Sequence, residues 1–152
     1  MSDLYFLDVD DLIEIHDSIL ANGAGLAGVH FEKLEAVVGR VDNQTLYGQI
    51  DNAFELAAHY GEAIARGHAF VDANKRTAFV AMFSVLHNNG FPVPDDQSFM
   101  DYYNSDSFIA DTMVKVAIGK ISAKQLSEIL ALGYLTVGAV YAISEIASLF
   151  KK

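Results

Sequence analysis

The chain has 152 residues, a length typical of one domain that buries roughly two-thirds of the surface its unfolded form exposes. Its 20 acidic and 10 basic residues give a formal net charge of −10, which repels phosphate backbones and excludes direct nucleic-acid binding as a first interpretation. Cysteine is absent, which excludes disulfides and thiolate metal sites, and since the acidic N-terminus carries no secretory signal we expect a cytoplasmic protein.

Apolar residues recur at helical spacing along most of the chain, and this spacing predicts an all-α fold. The first helix is expected to begin at a cap formed by Asp8 or Asp10 and to end near Asn22. A flexible loop is predicted over residues 24–28. A second helix follows the loop and is expected to end at Gly39.

Two central helices are predicted in the middle of the chain. The first ends at Gly67 and has an apolar face formed by Phe54, Ala57, Ala58, Tyr60 and Ile64. The second begins after the polar segment that follows Gly67 and is expected to stop at residues 88–90, where two asparagines precede a glycine.

The last third of the chain is predicted to form one or two helices over residues 98–118 and another over 124–130, which Ser122 caps. We divide the chain into a domain over residues 1–130 and an apolar helical extension over 131–152. The extension is long enough to reach across a bilayer, but Glu145 is costly in lipid, so membrane insertion is disfavoured. We expect the extension to pack on the domain or to form a homo-oligomer contact.

Residues 68–78 have the sequence HAFVDANKRTA and contain the most specific pattern in the chain. Lys75 and Arg76 are expected on the first turn of a helix, where unpaired N–H groups and the helix dipole attract phosphate. Asp72 precedes that turn and offers the oxygen ligand that Mg²⁺ takes in nucleotide sites. His68 is the residue type best suited to remove a proton from a hydroxyl near neutral pH.

Each of these residues also has an ordinary structural interpretation. A single histidine before a helix is more often structural, and Asp72 would serve equally as an N-cap paired with Arg76 at i+4. Clustered cations are usually solvated surface charges. The remaining histidines show no metal-ligand spacing, so we interpret them as structural or exposed: His16, His30, His59 and His87.

The run HAFVDANKR at residues 68–76 resembles the motif of the Fic family, and the ending ANKRTA resembles the form found in death-on-curing (Doc) toxins. The similarity covers roughly residues 4–130 and includes shorter matches at 15–17, 25–28, 35–41 and 65–67. It implies a single-domain Fic fold, a compact helical bundle in which the motif loop lies between two central helices.

The resemblance implies a role for each residue of the motif. His68 would be the general base on a target hydroxyl, and Asp72 would hold Mg²⁺ against the phosphates of ATP. Arg66, two residues before His68, is expected either to add a contact to the nucleotide or to the loop, or to be an ordinary surface residue. The resemblance implies phosphate binding by four consecutive residues, Ala73, Asn74, Lys75 and Arg76.

Two departures separate this chain from the AMP-transferring branch of the family, where Lys75 is normally replaced by Gly and a second Arg stands at the position of Phe79. The resemblance therefore implies the Doc activity, in which the γ-phosphoryl group of ATP passes to a Thr or Ser of a target protein such as elongation factor Tu and translation stops. Transfer of AMP to a protein hydroxyl is the alternative enzyme activity. A catalytically silent protein-binding module is the alternative outside enzymes.

Doc-like toxins are partners of Phd-type antitoxins, whose C-terminal segment folds into a groove on the toxin. Some Fic proteins instead carry their own inhibitory helix, with Ser or Thr followed four residues later by Glu. The sequence contains no such pattern. We therefore expect inhibition by a separate antitoxin.

Overall fold

The fold is built from helices throughout the part of the chain that the structure describes. The computed structural model describes residues 3–93, 103–104 and 107–135. The longer helices, numbered in chain order, are α1 (Val9–Ala21), α2 (Phe31–Leu46), α3 (Ala53–Gly67), α4 (Asn74–Asn88), α5 (Ser107–Ala117) and α6, which includes residues 123–135. The all-α prediction is therefore confirmed.

Helix α1 begins at a reciprocal cap. The Asp8 carboxylate accepts from the Asp11 amide at 2.8 Å, and the Asp11 carboxylate accepts from the Asp8 amide at 2.9 Å. Such a capping box satisfies N–H groups that have no partner inside the helix. It selects Asp8 over Asp10 as the cap, and α1 ends beside Asn22, as predicted.

Helix α2 is longer than the sequence predicts. The expected end at Gly39 is wrong, because α2 continues to Leu46. A glycine inside a helix costs only about 1 kcal/mol relative to alanine. The following turn buries Val41 completely. Burial of that side chain contributes roughly 1.5–3 kcal/mol and outweighs the cost of the glycine.

Helices α3 and α4 form the centre of the molecule. Ten of the 15 residues of α3 are buried. A Cβ atom on Gly61 would lie 2.6 Å from the sulfur of Met82, so the glycine allows the two helices to pack closely. They end at Gly67 and Asn88, as predicted, and residues 68–73 connect them as the motif loop.

A buried carboxylate joins the neighbouring helices to α3. Glu62 is 6% exposed, and it accepts from Arg40 of α2 at 2.9 Å and from the amide of Ala123 in α6 at 2.7 Å. Arg66 Nη1 lies 3.5 Å from the same carboxylate. Because an unpaired charge in the core is costly, these contacts hold α2 and α6 in fixed positions against α3.

Helix α6 begins at the predicted cap and continues beyond the predicted end. Ser122 Oγ accepts from the Gln125 amide at 3.2 Å. The helix passes residue 130 and includes residue 135. Near its described end, the Tyr134 ring packs edge-on against Phe54 and Phe91, with ring centroids 5.6 and 5.7 Å apart.

Part of the predicted C-terminal architecture lies outside the described residues. The range 98–118 contains α5, but residues 98–102 and 105–106 are not described, and neither are residues 136–152 of the extension. The division of the chain at residue 130 stays a prediction. In the described ranges, no helix is both long and apolar enough to cross a membrane.

Candidate functional site

The motif loop has a left-handed residue at each end. His68 caps the C-terminus of α3 with φ 50°, and Ala73 caps the N-terminus of α4 with φ 65°. This conformation costs a residue with a Cβ atom about 1–2 kcal/mol. Such strain persists only where surrounding contacts enforce it, and it is common at functional sites.

Asn74 enforces the shape of the loop from the first turn of α4. Its Nδ2 donates to the carbonyl of Phe70 at 2.9 Å, and its Oδ1 accepts from the amide of Phe70 at 3.1 Å. Phe70 itself is 2% exposed and anchors the loop in the core. Asn74 thus shapes the loop, and because one N–H of its Nδ2 group has no partner among the described hydrogen bonds, its contact to a phosphate stays a prediction.

The loop between α1 and α2, residues 22–30, lies along the motif loop. The His30 amide donates to the Ala69 carbonyl at 2.7 Å, and the Val71 amide donates to the Gly28 carbonyl at 3.0 Å. A Cβ atom on Gly28, where φ is 141°, would lie 2.5 Å from Val71 Cγ2. Glycine is therefore required for the two loops to pair.

The Asp72 carboxylate is held by two backbone amides. Oδ1 accepts from Ala73 at 2.8 Å and Oδ2 accepts from Leu26 at 3.1 Å. These hydrogen bonds, followed by the nearby charge of Arg76, lower the pKa of Asp72 below its ordinary value of 3.8. The carboxylate is thus ionised at neutral pH, and each oxygen keeps a lone pair for a further ligand.

Arg76 approaches the same carboxylate from α4. Its Nη1 donates to the Ala24 carbonyl at 2.7 Å. A Cβ atom on Gly25 would lie 3.2 Å from Arg76 Nη2 and 3.3 Å from Asp72 Oδ2, so this glycine sits between the two side chains. Lys75 is exposed on the same turn, and the cap residue Ala73 has no side chain that could accept from the first-turn amides. Arg76 and a helix N-terminus therefore lie beside one carboxylate, and Lys75 adds a second, exposed cation on the same turn.

His68 is exposed at the other end of the motif loop. Among the described residues, no hydrogen bond involves its imidazole ring. The ring is therefore free to accept a proton from a hydroxyl group that approaches the loop.

The sequence from α1 to α4 matches a known family. The Fic/DOC family model matches residues 6–86, more than half of the chain. This chain belongs to the Fic/DOC family. The resemblance read from residues 68–78 is thus confirmed.

Two relatives place this Fic/DOC protein in the Doc branch. It is 36% identical over 122 residues to a protein named "Protein kinase doc" from Escherichia phage P1, covering 80% of this chain and 89% of the relative. It is 34% identical over 93 residues to "Toxin Doc" from Mycolicibacterium smegmatis, covering 60% of this chain and 69% of that protein.

Arg66 does not join the Fic/DOC motif, contrary to the sequence expectation of a contact to nucleotide or loop. Its Nε donates to the Val116 carbonyl and its Nη2 to the Ile121 carbonyl, both at 2.8 Å, while Nη1 faces Glu62. Two of the nitrogens therefore hold the end of α5 and the connection to α6, and the third pairs with the buried Glu62 of α3. Arg66 is a structural residue.

His16 is the residue of this Fic/DOC site that sequence reasoning missed. It is 2% exposed in α1, and its Nε2 lies 2.9 Å from the Asp72 carbonyl oxygen. Its ring stacks on that of Phe70, with centroids 4.0 Å apart and planes 8° from parallel. The signals in the sequence were a polar residue placed within the apolar stripe of α1 and the short family match at residues 15–17.

The donor set fits a magnesium ion that is held jointly with a nucleotide. In the described ranges, no group of three or more His, Asp or Glu side chains could hold a metal by itself. Asp72 offers one ionised carboxylate, and Mg²⁺ in nucleotide sites takes one or two carboxylates together with phosphate oxygens and water. The residues present fit that mode of binding.

Proposed function

We propose that this Fic/DOC protein is a Doc-type toxin and a Ser/Thr protein kinase, which transfers the γ-phosphoryl group of ATP to a hydroxyl of another protein. The relatives named as a kinase and as a toxin support this function. The arrangement of His68, Asp72 and Arg76 around one loop supplies the groups that the reaction requires.

The environment of Phe79 favours phosphoryl transfer over AMP transfer. Phe79 is 5% exposed, and its ring packs against those of Phe83 and Tyr103, with centroids 5.0 and 5.4 Å apart. In the AMP-transferring branch this position carries the second phosphate-binding arginine. Here the position belongs to an aromatic cluster, while Lys75 occupies the exposed position that is glycine in that branch.

The chemistry that we propose for the chain's own residues is proton removal and charge neutralisation. His68 takes the proton of the attacking hydroxyl as its oxygen bonds to the γ-phosphorus, and the bond from that phosphorus to ADP breaks. Lys75, Arg76 and the N-terminus of α4 bind the phosphates. Asp72 holds Mg²⁺, which when bound neutralises phosphate charge in the transition state.

The partners that we propose follow from the Doc branch. Elongation factor Tu is the candidate target and a Phd-type antitoxin is the candidate inhibitor. The cytoplasm is the candidate compartment, because it contains ATP and the target. A homo-oligomer contact through residues 131–152 stays a prediction. The acidic net charge of −10 speaks against direct binding to nucleic acid.

A labelling experiment tests the activity. The purified protein is incubated with host lysate, Mg²⁺ and ATP labelled either on the γ-phosphate or on the α-phosphate. We expect a protein band labelled from the γ position alone, which disappears in His68→Ala and Asp72→Asn. His87→Ala is the matched control, because His87 is exposed in the last turn of α4, away from the motif.

The other outcomes identify the alternatives. Label from the α position would show a nucleotidyltransferase instead of a kinase. If neither label appears and calorimetry detects no binding of Mg²⁺-ATP, a protein-binding module is the better interpretation.

A further inference from the structure

A buried side chain of α1 contacts the motif loop on its core-facing side. His16 is 2% exposed, and its Nε2 lies 2.9 Å from the carbonyl oxygen of Asp72. A carbonyl oxygen accepts hydrogen bonds and cannot donate them, so the proton must lie on Nε2 of His16. Residues 56 positions apart in the chain are thereby joined.

This hydrogen bond acts on one particular peptide unit. The carbonyl of Asp72 and the amide of Ala73 belong to the same rigid plane, so fixing one end of the plane fixes the other. The amide end donates to Asp72 Oδ1 at 2.8 Å. A contact made to the backbone by His16 thus fixes one of the two amides that hold the Asp72 carboxylate, and the Leu26 amide is the other.

The same peptide plane also controls the strained residue at the start of α4. Ala73 has φ 65°, and φ describes the rotation of the preceding peptide plane about the Ala73 N–Cα bond. A left-handed alanine rotates back to negative φ unless its neighbours prevent this. On one side of the plane His16 holds the carbonyl, and on the other side Asp72 holds the amide.

We propose that His16 is a positioning residue of the site, which holds the peptide between Asp72 and Ala73 in the orientation that aims the Asp72 carboxylate. His16 contacts neither nucleotide nor target in this role. The proposal rests on the proposed function only in assigning the metal to Asp72.

Packing of the ring and donation of the proton are separable functions of His16. The ring stacks on Phe70 at 4.0 Å, and phenylalanine could replace it in that contact. Phenylalanine cannot donate to Asp72, whereas glutamine can. If His16 only filled the core, His16→Phe should change the exchange of the Ala73 amide and the binding of Mg²⁺ less than His16→Gln does. If His16 positions the peptide, His16→Gln should change them less than His16→Phe does.

The first measurement is hydrogen exchange of the Ala73 amide, followed by NMR in the full-length protein. We expect His16→Phe to speed exchange of this amide roughly fivefold, the factor that corresponds to loss of one ordinary hydrogen bond. His16→Gln should restore most of the protection. Glu14→Gln is the matched control, because Glu14 lies in the same helix and is exposed.

The second measurement is titration with Mg²⁺ in the presence of ATP, read from the amide shifts of Ala73 and Leu26. His16→Phe should raise the Mg²⁺ concentration at half-saturation by a similar factor, and should raise the KM for Mg²⁺ in the kinase assay more than it lowers kcat. Unchanged exchange and unchanged titration in a folded His16→Phe protein would overturn the proposal.

The wild-type protein provides a test that does not depend on the folding of a variant. A long-range ¹H–¹⁵N spectrum of the His16 ring should show the proton on Nε2. A proton found only on Nδ1 would overturn the proposal. Both this spectrum and the exchange measurement are independent of phosphoryl transfer, so they test His16 even if the labelling experiment shows no kinase.

Discussion

The hydroxyl of Tyr60 satisfies both backbone groups of Leu7: it donates to the Leu7 carbonyl at 2.9 Å and accepts from the Leu7 amide at 3.0 Å. Tyr60 is completely buried in α3, and this burial raises the pKa of its hydroxyl well above the ordinary value of 10.0. The hydroxyl therefore stays protonated and can donate at any pH at which the protein is used. It ties the N-terminal segment to the central helix.

Tyr60→Phe should destabilise the protein by about 1–3 kcal/mol, because it leaves a buried amide and a buried carbonyl of Leu7 without a partner. Urea unfolding followed by circular dichroism measures this free energy. Tyr47→Phe is the control, since Tyr47 is 82% exposed, and it should leave the free energy of unfolding unchanged. Equal effects of the two substitutions would contradict this account of Leu7.

Arg66→Lys should lower the free energy of unfolding by about 1–2 kcal/mol, because one ammonium group cannot reach both the Val116 and Ile121 carbonyls. Arg40→Lys is the comparison, since the Arg40 side chain is 49% exposed and its substitution should cost less than about 1 kcal/mol. Neither variant should bind ATP more weakly. If Arg66→Lys binds ATP more weakly at unchanged stability, Arg66 contributes to nucleotide binding and the structural role assigned to it is wrong.

The pH dependence of stability should include a contribution from His59. Burial lowers the pKa of His59 below its ordinary value of 6.5, and the ring lies 2.8 Å from Gln44 Oε1. As the pH falls through 6.5, the unfolded chain takes up the proton first, so the folded state loses stability until the pH is below the folded pKa. Above 6.5 both forms are neutral and the contribution is constant.

His59→Gln removes this titration. The wild-type protein should therefore lose more stability than His59→Gln between pH 8 and pH 5.5, when both are unfolded with urea at each pH. His87→Gln serves as the control, because His87 is exposed. Parallel pH profiles for wild type and His59→Gln would show that His59 does not contribute to the pH dependence of stability.

Gly25→Ala should impair the site without any change in the motif. A Cβ atom there would lie 2.5 Å from Leu20 Cδ2 and would crowd Arg76 and Asp72, and φ at this position is 156°. Displacing the loop by even part of an ångström should slow phosphoryl transfer about 10- to 100-fold. The rate of γ-label transfer measures the effect.

Gly39→Ala provides the matched control for Gly25→Ala. A Cβ atom on Gly39 would meet nothing within 4 Å, and the residue lies inside α2. This substitution should raise the free energy of unfolding by about 0.5–1 kcal/mol and leave phosphoryl transfer unchanged. Full activity of Gly25→Ala would mean that the loop over residues 22–30 does not position Asp72 and Arg76.

Local sequence signals predicted most helix boundaries, because caps and stop residues act on their own turn of helix. Asp8, Gly67 and Ser122 all fulfil the roles expected of them. The end of α2 was missed because a tertiary contact, burial of Val41, outweighs the local cost of Gly39.

The sequence was sufficient to predict most of the residues that form the candidate site, but not what each of them does there. The motif places His68, Asp72 and Arg76 around one loop, and a sequence pattern is sufficient to show this. The functions of Arg66 and His16 depend on partners 50 or more residues away in the chain. Helical periodicity and spacing carry no information about such pairings, so these two roles required the structure.

The residues that hold the motif loop are all synthesised early, before α5 and α6. The partners that reach the loop from elsewhere in the chain lie in α1, in residues 22–30 or in the first turn of α4, and no described hydrogen bond of the loop uses a residue after α4. Residues 89–135, which include α5 and the described part of α6, are added after these partners, and a ribosome needs about 2–9 s for them at 5–20 residues per second. Translation order therefore supplies every described hydrogen-bond partner of the loop before α5 and α6 are synthesised.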